Sequence, residues 1–248
     1  MPDFLETQAG RRIAYHRSAG IGPGVMFLGG FVSDMGGTKA MHLEAWAQAA
    51  GRAFIRFDYS GHGHSSGRFD DGSVGDWAED AASVLAMAAG KQVLVGSSMG
   101  GWIALLLARA HPARIAGLVT IAAAPDFTED SMWAGFSDAQ KEQLMAEGRL
   151  VLPSDYAPEG YRITRRLIED GRQHLVLRSP LALPFPTRFL QGTADRDVLP
   201  AVALRLLAHA TGPDLRLTLV KAADHRFSSP DALALTITAI EDVLERAL

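Results

Sequence analysis

The stretch from Val93 to Trp102, VLVGSSMGGW, decides the fold. It opens on a short apolar run that is typical of a buried strand, and the apolar run after Gly101 is typical of a helix. Between them lies the pattern Gly-x-Ser-x-Gly, with Ser98 at its centre. A nucleophile on such a strand–turn–helix junction has a strained backbone, which lifts its hydroxyl above the sheet. The stretch therefore predicts that Ser98 is a nucleophile, and the plainer alternative is a small residue at a tight junction.

Two other uses of glycine-rich turns do not fit this stretch. The spacing of Gly96, Gly100 and Gly101 is not the Gly-x-Gly-x-x-Gly of a dinucleotide-binding turn, and the Gly-Lys-Ser/Thr of a phosphate-binding loop is missing. Glycine at positions 96 and 100 instead indicates that the strand and the helix approach too closely to accommodate a Cβ atom.

Short apolar strands alternate with helical segments on both sides of this motif. The alternation predicts an α/β fold, with a mostly parallel central sheet that is covered by helices on both faces. At the start of the chain, residues 4–15 predict an antiparallel hairpin around a glycine turn. The later predicted strands are 25–28, 53–57, 92–95, 118–121, 187–190 and 216–220, and the predicted helices are 38–50, 74–89, 100–110, 200–211 and 230–247.

The alternation is interrupted between residues 124 and 185. Prolines, acidic residues, methionines and aromatic residues are frequent there, and they predict short helices and loops. Because the segment lies between two strands of one sheet, we interpret residues 1–248 as a single domain with a small inserted cap at 124–185.

A serine nucleophile needs a histidine base, and the base needs a carboxylate that orients it. Of the eight histidines, His225 follows the last predicted strand, and open parallel sheets bind ligands at the carboxyl ends of their strands. Asp195 follows the preceding strand in the same way. The chain order Ser98, Asp195, His225 is that of α/β-hydrolases. Asp126, which follows an earlier strand, is the alternative acid.

The reaction of such a serine also needs backbone N–H donors that stabilise an oxyanion. The helix that begins behind Ser98 supplies the N–H of Met99. The paired glycines 29 and 30 predict a loop that passes close to Ser98, so that Phe31 supplies the second N–H and its ring lines an acyl pocket. The alternative is that these glycines form an ordinary turn at the end of a strand.

Apolar residues of the insertion recur with rough helical spacing. Such a stripe usually forms core, but the nearest core for a cap to cover is the active site. We therefore expect an acyl pocket there, since methionines and aromatic rings suit an acyl chain. The residues expected to line it are Met132, Trp133 and Phe136 from the insertion and Met35 and Trp102 from the sheet side.

Composition excludes several other classes of protein. The 248 residues include no cysteine, so disulfides, thiolate metal sites and a cysteine nucleophile are excluded. The formal net charge is −4 and the basic residues are scattered, which gives no indication of nucleic-acid binding. His62 and His64 lack a third ligand at a suitable spacing, so we expect a polar surface loop, no metal site and no cofactor.

The chain has neither a recognisable secretory signal nor an apolar run of the about 18 residues that a membrane span needs. The lack of cysteine also favours a reducing compartment. We therefore expect a cytoplasmic location and no membrane span.

Three long stretches resemble one branch of the α/β-hydrolases: FVSDMGGTKA at 31–40, IRFDYSGHGHS at 55–65 and GSSMGGW at 96–102. The branch contains the mitochondrial palmitoyl-protein thioesterases of the abhydrolase group, which also hydrolyse acyl glucuronides. The segment 224–226, DHR, matches the histidine segment of the branch. The resemblance implies the same catalytic residues, Ser98, Asp195 and His225, and an S-acylated protein as one possible substrate. The missing transit peptide and Leu28, where many members have histidine, suggest a bacterial relative.

These features predict a serine hydrolase that cleaves acyl esters or thioesters through an acyl-enzyme. A thioester's leaving thiolate has a pKa near about 8.5 and needs little help from an acid, so the three residues do not separate thioesters from esters. The alternatives are another reaction of the same residues, such as C–C hydrolysis or acyl transfer, and a non-catalytic ligand receptor on the same fold.

Overall fold

The computed structural model describes residues 1–153 and 160–247. Its strands are β1 (Asp3–Glu6), β2 (Arg12–Ser18), β3 (Ile21–Leu28), β4 (Arg52–Phe57), β5 (Gln92–Ser97), β6 (Ile115–Ile121), β7 (Arg149–Leu152), β8 (Tyr161–Thr164), β9 (Leu181–Ala182), β10 (Thr187–Gly192), β11 (Ala210–Thr211) and β12 (Leu215–Val220). Its α-helices are α1 (Thr38–Ala49), α2 (Val74–Met87), α3 (Met99–Ala110), α4 (Asp138–Glu147), α5 (Arg165–Gly171), α6 (Pro200–His209) and α7 (Pro230–Arg246).

Eight strands form one twisted sheet in the order β1-β2-β4-β3-β5-β6-β10-β12. Strands β1 and β2 form an antiparallel hairpin, and β2 pairs antiparallel with β4. The other six strands of the sheet, β4, β3, β5, β6, β10 and β12, pair parallel with one another in that order. The predicted α/β class is therefore confirmed. Because the parallel strands all point the same way, the turns that follow β3, β5, β6, β10 and β12 lie together at the carboxyl ends of the strands.

Apolar side chains cover both faces of the sheet, as the predicted strands require. Helices α2 and α3 and much of the 124–185 segment pack on one face. Helices α1 and α7 pack on the other. Residues 99–108 of α3 are all buried, which explains why that helix is apolar on every side and reads as a continuous hydrophobic run.

The 124–185 segment contains more regular structure than its sequence predicts. A π-helical turn at Thr128–Trp133 and helices α4 and α5 agree with the expected short helices. The antiparallel hairpin β7–β8 was not expected, and residues 154–159 between its strands lie outside the described part of the chain. The segment is tied to α2, where the Asp170 carboxylate accepts the Gly75 N–H at 2.8 Å. Its role as a cap remains a prediction.

Candidate active site

Ser98 lies on the sharp turn between β5 and α3. Its backbone has φ 53° and ψ −118°, a left-handed conformation that costs a non-glycine residue about 1–3 kcal/mol. The surrounding chain holds this conformation: the Ser98 N–H donates to the Ile121 carbonyl at 2.9 Å, and the Ser98 carbonyl accepts from Gly101 and Ala124. The strain inferred from the motif is therefore present, and it is maintained by fixed backbone contacts.

The glycines of the motif are required by close contacts. A Cβ atom at Gly96 would lie 2.4 Å from the Gly100 carbonyl oxygen, so strand and helix do approach as closely as the sequence indicates. At Gly100, however, the obstacle is a different strand, because a Cβ atom there would lie 2.1 Å from the carbonyl oxygen of Leu28 in β3. The second glycine thus allows the helix to start directly over two strands.

Ser98, His225 and Asp195 form a continuous hydrogen-bonded chain, although they lie far apart in sequence. The Nε2 atom of His225 is 3.1 Å from the Ser98 Oγ, and its Nδ1 atom is 2.9 Å from the Asp195 Oδ2. The imidazole is half-buried and the Asp195 carboxylate is fully buried. Each of the three residues lies on a turn after a parallel strand, which is why their hydrogen bonds form at the carboxyl ends of the strands.

The Asp195 carboxylate is held by four donors. Its Oδ1 accepts the backbone N–H groups of Asp197 and Val198, and its Oδ2 accepts the Gln191 amide as well as His225. Burial opposes ionisation of this carboxyl, but the hydrogen bonds from His225 and Val198 outweigh it and hold its pKa below the usual value. Asp195 is therefore an ionised acceptor at neutral pH.

Asp126, the alternative acid, has a different set of partners. Its carboxylate is fully buried and accepts the backbone N–H groups of Val176 and Leu177 at 2.8 and 3.0 Å. It also pairs with the Arg178 guanidinium at 2.7 Å. Because these donors belong to the 124–185 segment, Asp126 anchors that segment to the end of β6.

The loop after β3 passes directly beside the serine. A Cβ atom at Gly30 would lie 3.5 Å from the Ser98 Cβ, which is an ordinary van der Waals contact and shows how near the loop passes to the serine. Phe31 and Met99, the two expected oxyanion donors, both border the cleft that opens above Ser98. Their role as donors remains a prediction.

A cleft of about 660 Å³ opens above Ser98 and His225. One wall is apolar and consists of aromatic and aliphatic side chains. Phe31 is its centre: its ring centroid lies 5.7 Å from that of Phe127 and 5.6 Å from that of Tyr161, both edge-on. Leu177 completes this wall. Charged groups from α1, α6 and the residue that follows His225 also line the cleft.

The five residues that were expected to line an acyl pocket do not border this cleft. Met35 and Trp102 are buried below it, and the Trp102 indole N–H donates to the His174 carbonyl at 3.1 Å. Trp133 packs edge-on against Phe136 and lies under the Arg172 guanidinium. Met132 packs with them against the core on the face of the sheet that α2 and α3 cover. That expectation is corrected: the stripe forms core of the inserted segment, which is the usual role of such a pattern.

Sequence reasoning missed the residues that do form the apolar wall. Phe127 lies on the turn that follows β6, so its position after a strand was a usable signal. Tyr161 begins strand β8 of the unexpected hairpin, so nothing in the local pattern indicated it. Lys39, in the first turn of α1, also borders the cleft and was not considered.

The environment of His62 differs from the expected one. His62 is buried among Tyr59, Phe69 and Trp77, and its Nδ1 atom is 3.1 Å from the Ser60 carbonyl oxygen. This corrects the expected surface position of His62. Among the described residues, ligand atoms of Asp195, Asp197 and His225 lie within 4.8 Å of one another. Asp195 and His225 already bond each other there, so the grouping follows from that hydrogen bond.

None of the helices in the described part of the chain is both long and apolar enough to cross a membrane.

Comparison with known proteins agrees with this geometry. The family model for the alpha/beta hydrolase fold matches residues 27–157. The mouse protein named palmitoyl-protein thioesterase ABHD10, mitochondrial, is 38% identical over 245 residues, which cover 98% of this chain and 82% of the relative. The structure of mouse alpha/beta hydrolase domain-containing protein 10 superposes with a TM-score of 0.92 at 35% identity over 100% of both chains. A crystal structure from Agrobacterium vitis, described as that of a hydrolase, gives 0.94 at 39% identity over 98% of each chain.

The expected cytoplasmic location is wrong by this comparison, because the similar mouse protein is named as mitochondrial. The expectation relied on the lack of a recognisable secretory signal and on the lack of cysteine, and neither singles out one compartment.

The resemblance to palmitoyl-protein thioesterases of the abhydrolase group is confirmed by this identity over almost the whole chain. The prediction of an ester or thioester hydrolase is confirmed with it. Together with the parallel sheet and the matching family model, these relatives show that the chain belongs to the α/β-hydrolase family.

Proposed function

We propose that the protein is a serine hydrolase that cleaves acyl thioesters and esters through an acyl-enzyme on Ser98. The observation that carries the proposal is the hydrogen-bonded chain Ser98–His225–Asp195, with contacts of 3.1 and 2.9 Å, at the floor of an open cleft. An intact set of nucleophile, base and orienting acid favours catalysis over a non-catalytic receptor.

In the first half of the reaction, His225 Nε2 takes the proton of the Ser98 hydroxyl while Oγ attacks the acyl carbonyl carbon. The carbonyl oxygen becomes an oxyanion, which the N–H groups of Phe31 and Met99 stabilise. Collapse of this intermediate breaks the bond to the leaving group. A leaving alkoxide takes the proton from His225 as the bond breaks, whereas a sulfur leaving group, with a pKa of about 8.5, departs as the thiolate and takes the proton from the imidazolium afterwards. In both cases His225 is neutral again before water enters.

In the second half, His225 removes a proton from water, and the resulting hydroxide attacks the acyl carbon of the Ser98 ester. The free acid is released when Oγ recovers the proton from the imidazolium. Asp195 stays ionised throughout, because its depressed pKa keeps it an acceptor of the His225 Nδ1–H. It fixes the tautomer in which Nε2 is free to act as base.

The apolar wall of the cleft is the proposed acyl pocket. The Phe31 ring packs edge-on against Phe127 and against Tyr161, and all three residues line the cleft together with Leu177. Such a surface gains about 0.8 kcal/mol for each methylene group that it buries. The relatives named as palmitoyl-protein thioesterases support a long acyl thioester as the preferred substrate class.

The test is labelling by a fluorophosphonate probe together with hydrolysis of an acyl-thioester and p-nitrophenyl-ester series. Ser98→Ala is expected to lose labelling and to lower kcat by about 10⁴–10⁶-fold, as in other enzymes of this type. Ser83→Ala on α2 is the matched control and retains both. A purified, folded Ser98→Ala protein that keeps a tenth of the activity excludes Ser98 as nucleophile, and an unlabelled wild type indicates a receptor.

A further inference from the structure

Lys39 occupies a costly position at the edge of the cleft. It is in the first turn of α1, where the positive end of the helix dipole disfavours a cation, and no acidic residue stands in that turn. Its side chain is half-buried and borders the cleft. Burial lowers the pKa of Lys39 to about 8, although the nearby Asp224 carboxylate acts in the opposite direction. A residue that violates local preferences in this way usually does so for a function.

The contact that Lys39 makes reaches the loop of the catalytic histidine. Its Nζ donates to the carbonyl oxygen of Arg226 at 2.6 Å, across 187 positions of sequence. Arg226 directly follows His225. Hydrogen bonds from an ammonium to a neutral acceptor are about twice as strong as neutral ones, so this contact restrains the peptide next to the imidazole.

The two halves of the loop 221–228 are held by different parts of the fold. The first half bonds to the turn that carries Asp195: the Ala194 N–H donates to the Ala223 carbonyl at 3.0 Å, and the Ala222 N–H donates to the Thr193 hydroxyl at 2.9 Å. The second half is reached from α1 by Lys39. His225 lies between these two attachments, one of which is shared with its acid.

The loop backbone is strained at both ends, which makes such attachments necessary. Ala222 has φ 63° and Phe227 has φ 50°, and both conformations are unfavourable for residues with a Cβ atom. The Phe227 ring is fully buried against α1 and α7, and its N–H donates to the Asp224 carboxylate. The Arg226 carbonyl also accepts the Ser228 hydroxyl at 2.9 Å, so the loop holds this peptide from within and Lys39 ties it to α1. Loss of the Lys39 contact would leave the peptide held by the loop's own bonds, which do not fix its position relative to the rest of the fold.

We infer that Lys39 is a positioning residue, which holds the Arg226 carbonyl and thereby keeps the His225 imidazole aligned with Ser98. The inference rests on the proposed function, because it concerns how the proposed base is held. Lys39 acts through the loop and needs no contact with the substrate. A misplacement of the base by about 1 Å is enough to lower the rate by about 100-fold.

The test compares Lys39→Met, Lys39→Gln and Lys39→Arg with Lys91→Met, an exposed lysine next to β5 that serves as the control. Lys39→Met is expected to lower kcat and the rate of fluorophosphonate labelling together, by about 10- to 100-fold, with KM changed by less than about twofold. Lys39→Arg recovers most of the loss, since it keeps a charged donor, and Lys39→Gln recovers part of it. Lys91→Met matches the wild type.

A spectroscopic measurement separates positioning from general destabilisation. The proton that His225 Nδ1 shares with Asp195 gives a low-field resonance in the proton NMR spectrum, and we expect it to broaden in Lys39→Met but not in Lys91→Met. Wild-type kcat and labelling in Lys39→Met overturn the inference, and so does a higher KM at unchanged kcat, which would make Lys39 a substrate ligand. Should Ser98→Ala remain active, the proposed function fails instead, whatever Lys39 does.

Discussion

The turns after β6 and β10 each bury one aspartate completely, Asp126 and Asp195. Each carboxylate accepts two backbone N–H groups from an adjacent segment of the protein. They differ in the side chains that complete the set, which are a guanidinium for Asp126 and an imidazole together with the Gln191 amide for Asp195. The same residue type, at the same end of the parallel strands and at the same burial, thus anchors the inserted segment in one case and, in the proposed mechanism, orients a base in the other.

The comparison shows that burial and topology alone do not identify a catalytic acid. Arg178 keeps its charge at every accessible pH, so its pair with Asp126 can only be structural. The imidazole of His225 has a second ring nitrogen, which contacts Ser98, so its pair with Asp195 is coupled to the proposed nucleophile. The partner of the carboxylate, and not the carboxylate itself, decides its role.

The sharpest way to break the comparison is to neutralise Asp195. Asp195→Asn presents an amide to His225, favours the wrong tautomer and is expected to lower kcat by about 10⁴-fold. The measurement is steady-state hydrolysis of an acyl thioester by the purified variant. If Asp126→Asn lowers kcat more than Asp195→Asn does, the acid is on the earlier strand and the assignment is reversed.

Neutralising Asp126 is expected to affect stability and leave the chemistry largely intact. Asp126→Asn keeps one acceptor oxygen but leaves part of the Val176 and Leu177 backbone N–H pair unsatisfied, which costs about 1–3 kcal/mol. Urea unfolding measures the change, with the exposed Asp3→Asn as control. An unchanged midpoint would mean that the segment does not need this anchor.

The two turns also show what the sequence could and could not provide. Ser98, Asp195 and His225 could be chosen as candidates because each follows an apolar strand, and the structure brings the three together. Asp126 satisfied the same rule, and it is distinguished by contacts with residues far away in sequence, Arg178 among them at 52 positions. The prediction of the pocket residues was wrong for a related reason. Helical spacing places Trp133 and Phe136 on one face of a helix, but it does not show whether that face packs against the cleft or against the core.

The wall of the acyl pocket provides a third test, since Phe127 immediately follows Asp126 on the β6 turn. Wild-type kcat/KM is expected to rise about fourfold per added methylene from acetyl to octanoyl substrates, which corresponds to about 0.8 kcal/mol each. Phe127→Ala should flatten this slope while activity on the acetyl substrate is kept. Trp133→Ala, which truncates core outside the cleft, is the matched control and should leave the slope unchanged. The reverse pattern would restore the insertion stripe as the pocket.

The smallest expected effect is the dependence of stability on pH through Asp195. Because its pKa is lower in the folded state than in the unfolded chain, its ionised form stabilises the fold above the unfolded pKa of about 3.9. That contribution is lost as the pH falls through the depressed folded value. The free energy of unfolding of the wild type relative to Asp195→Asn is therefore expected to be constant near neutrality and to decrease towards acid. Other carboxylates with lowered pKa, such as Asp170, are present in both proteins and cancel from the difference. A difference that grows on acidification would mean that Asp195 is protonated in the folded protein, where it could not accept the His225 Nδ1–H.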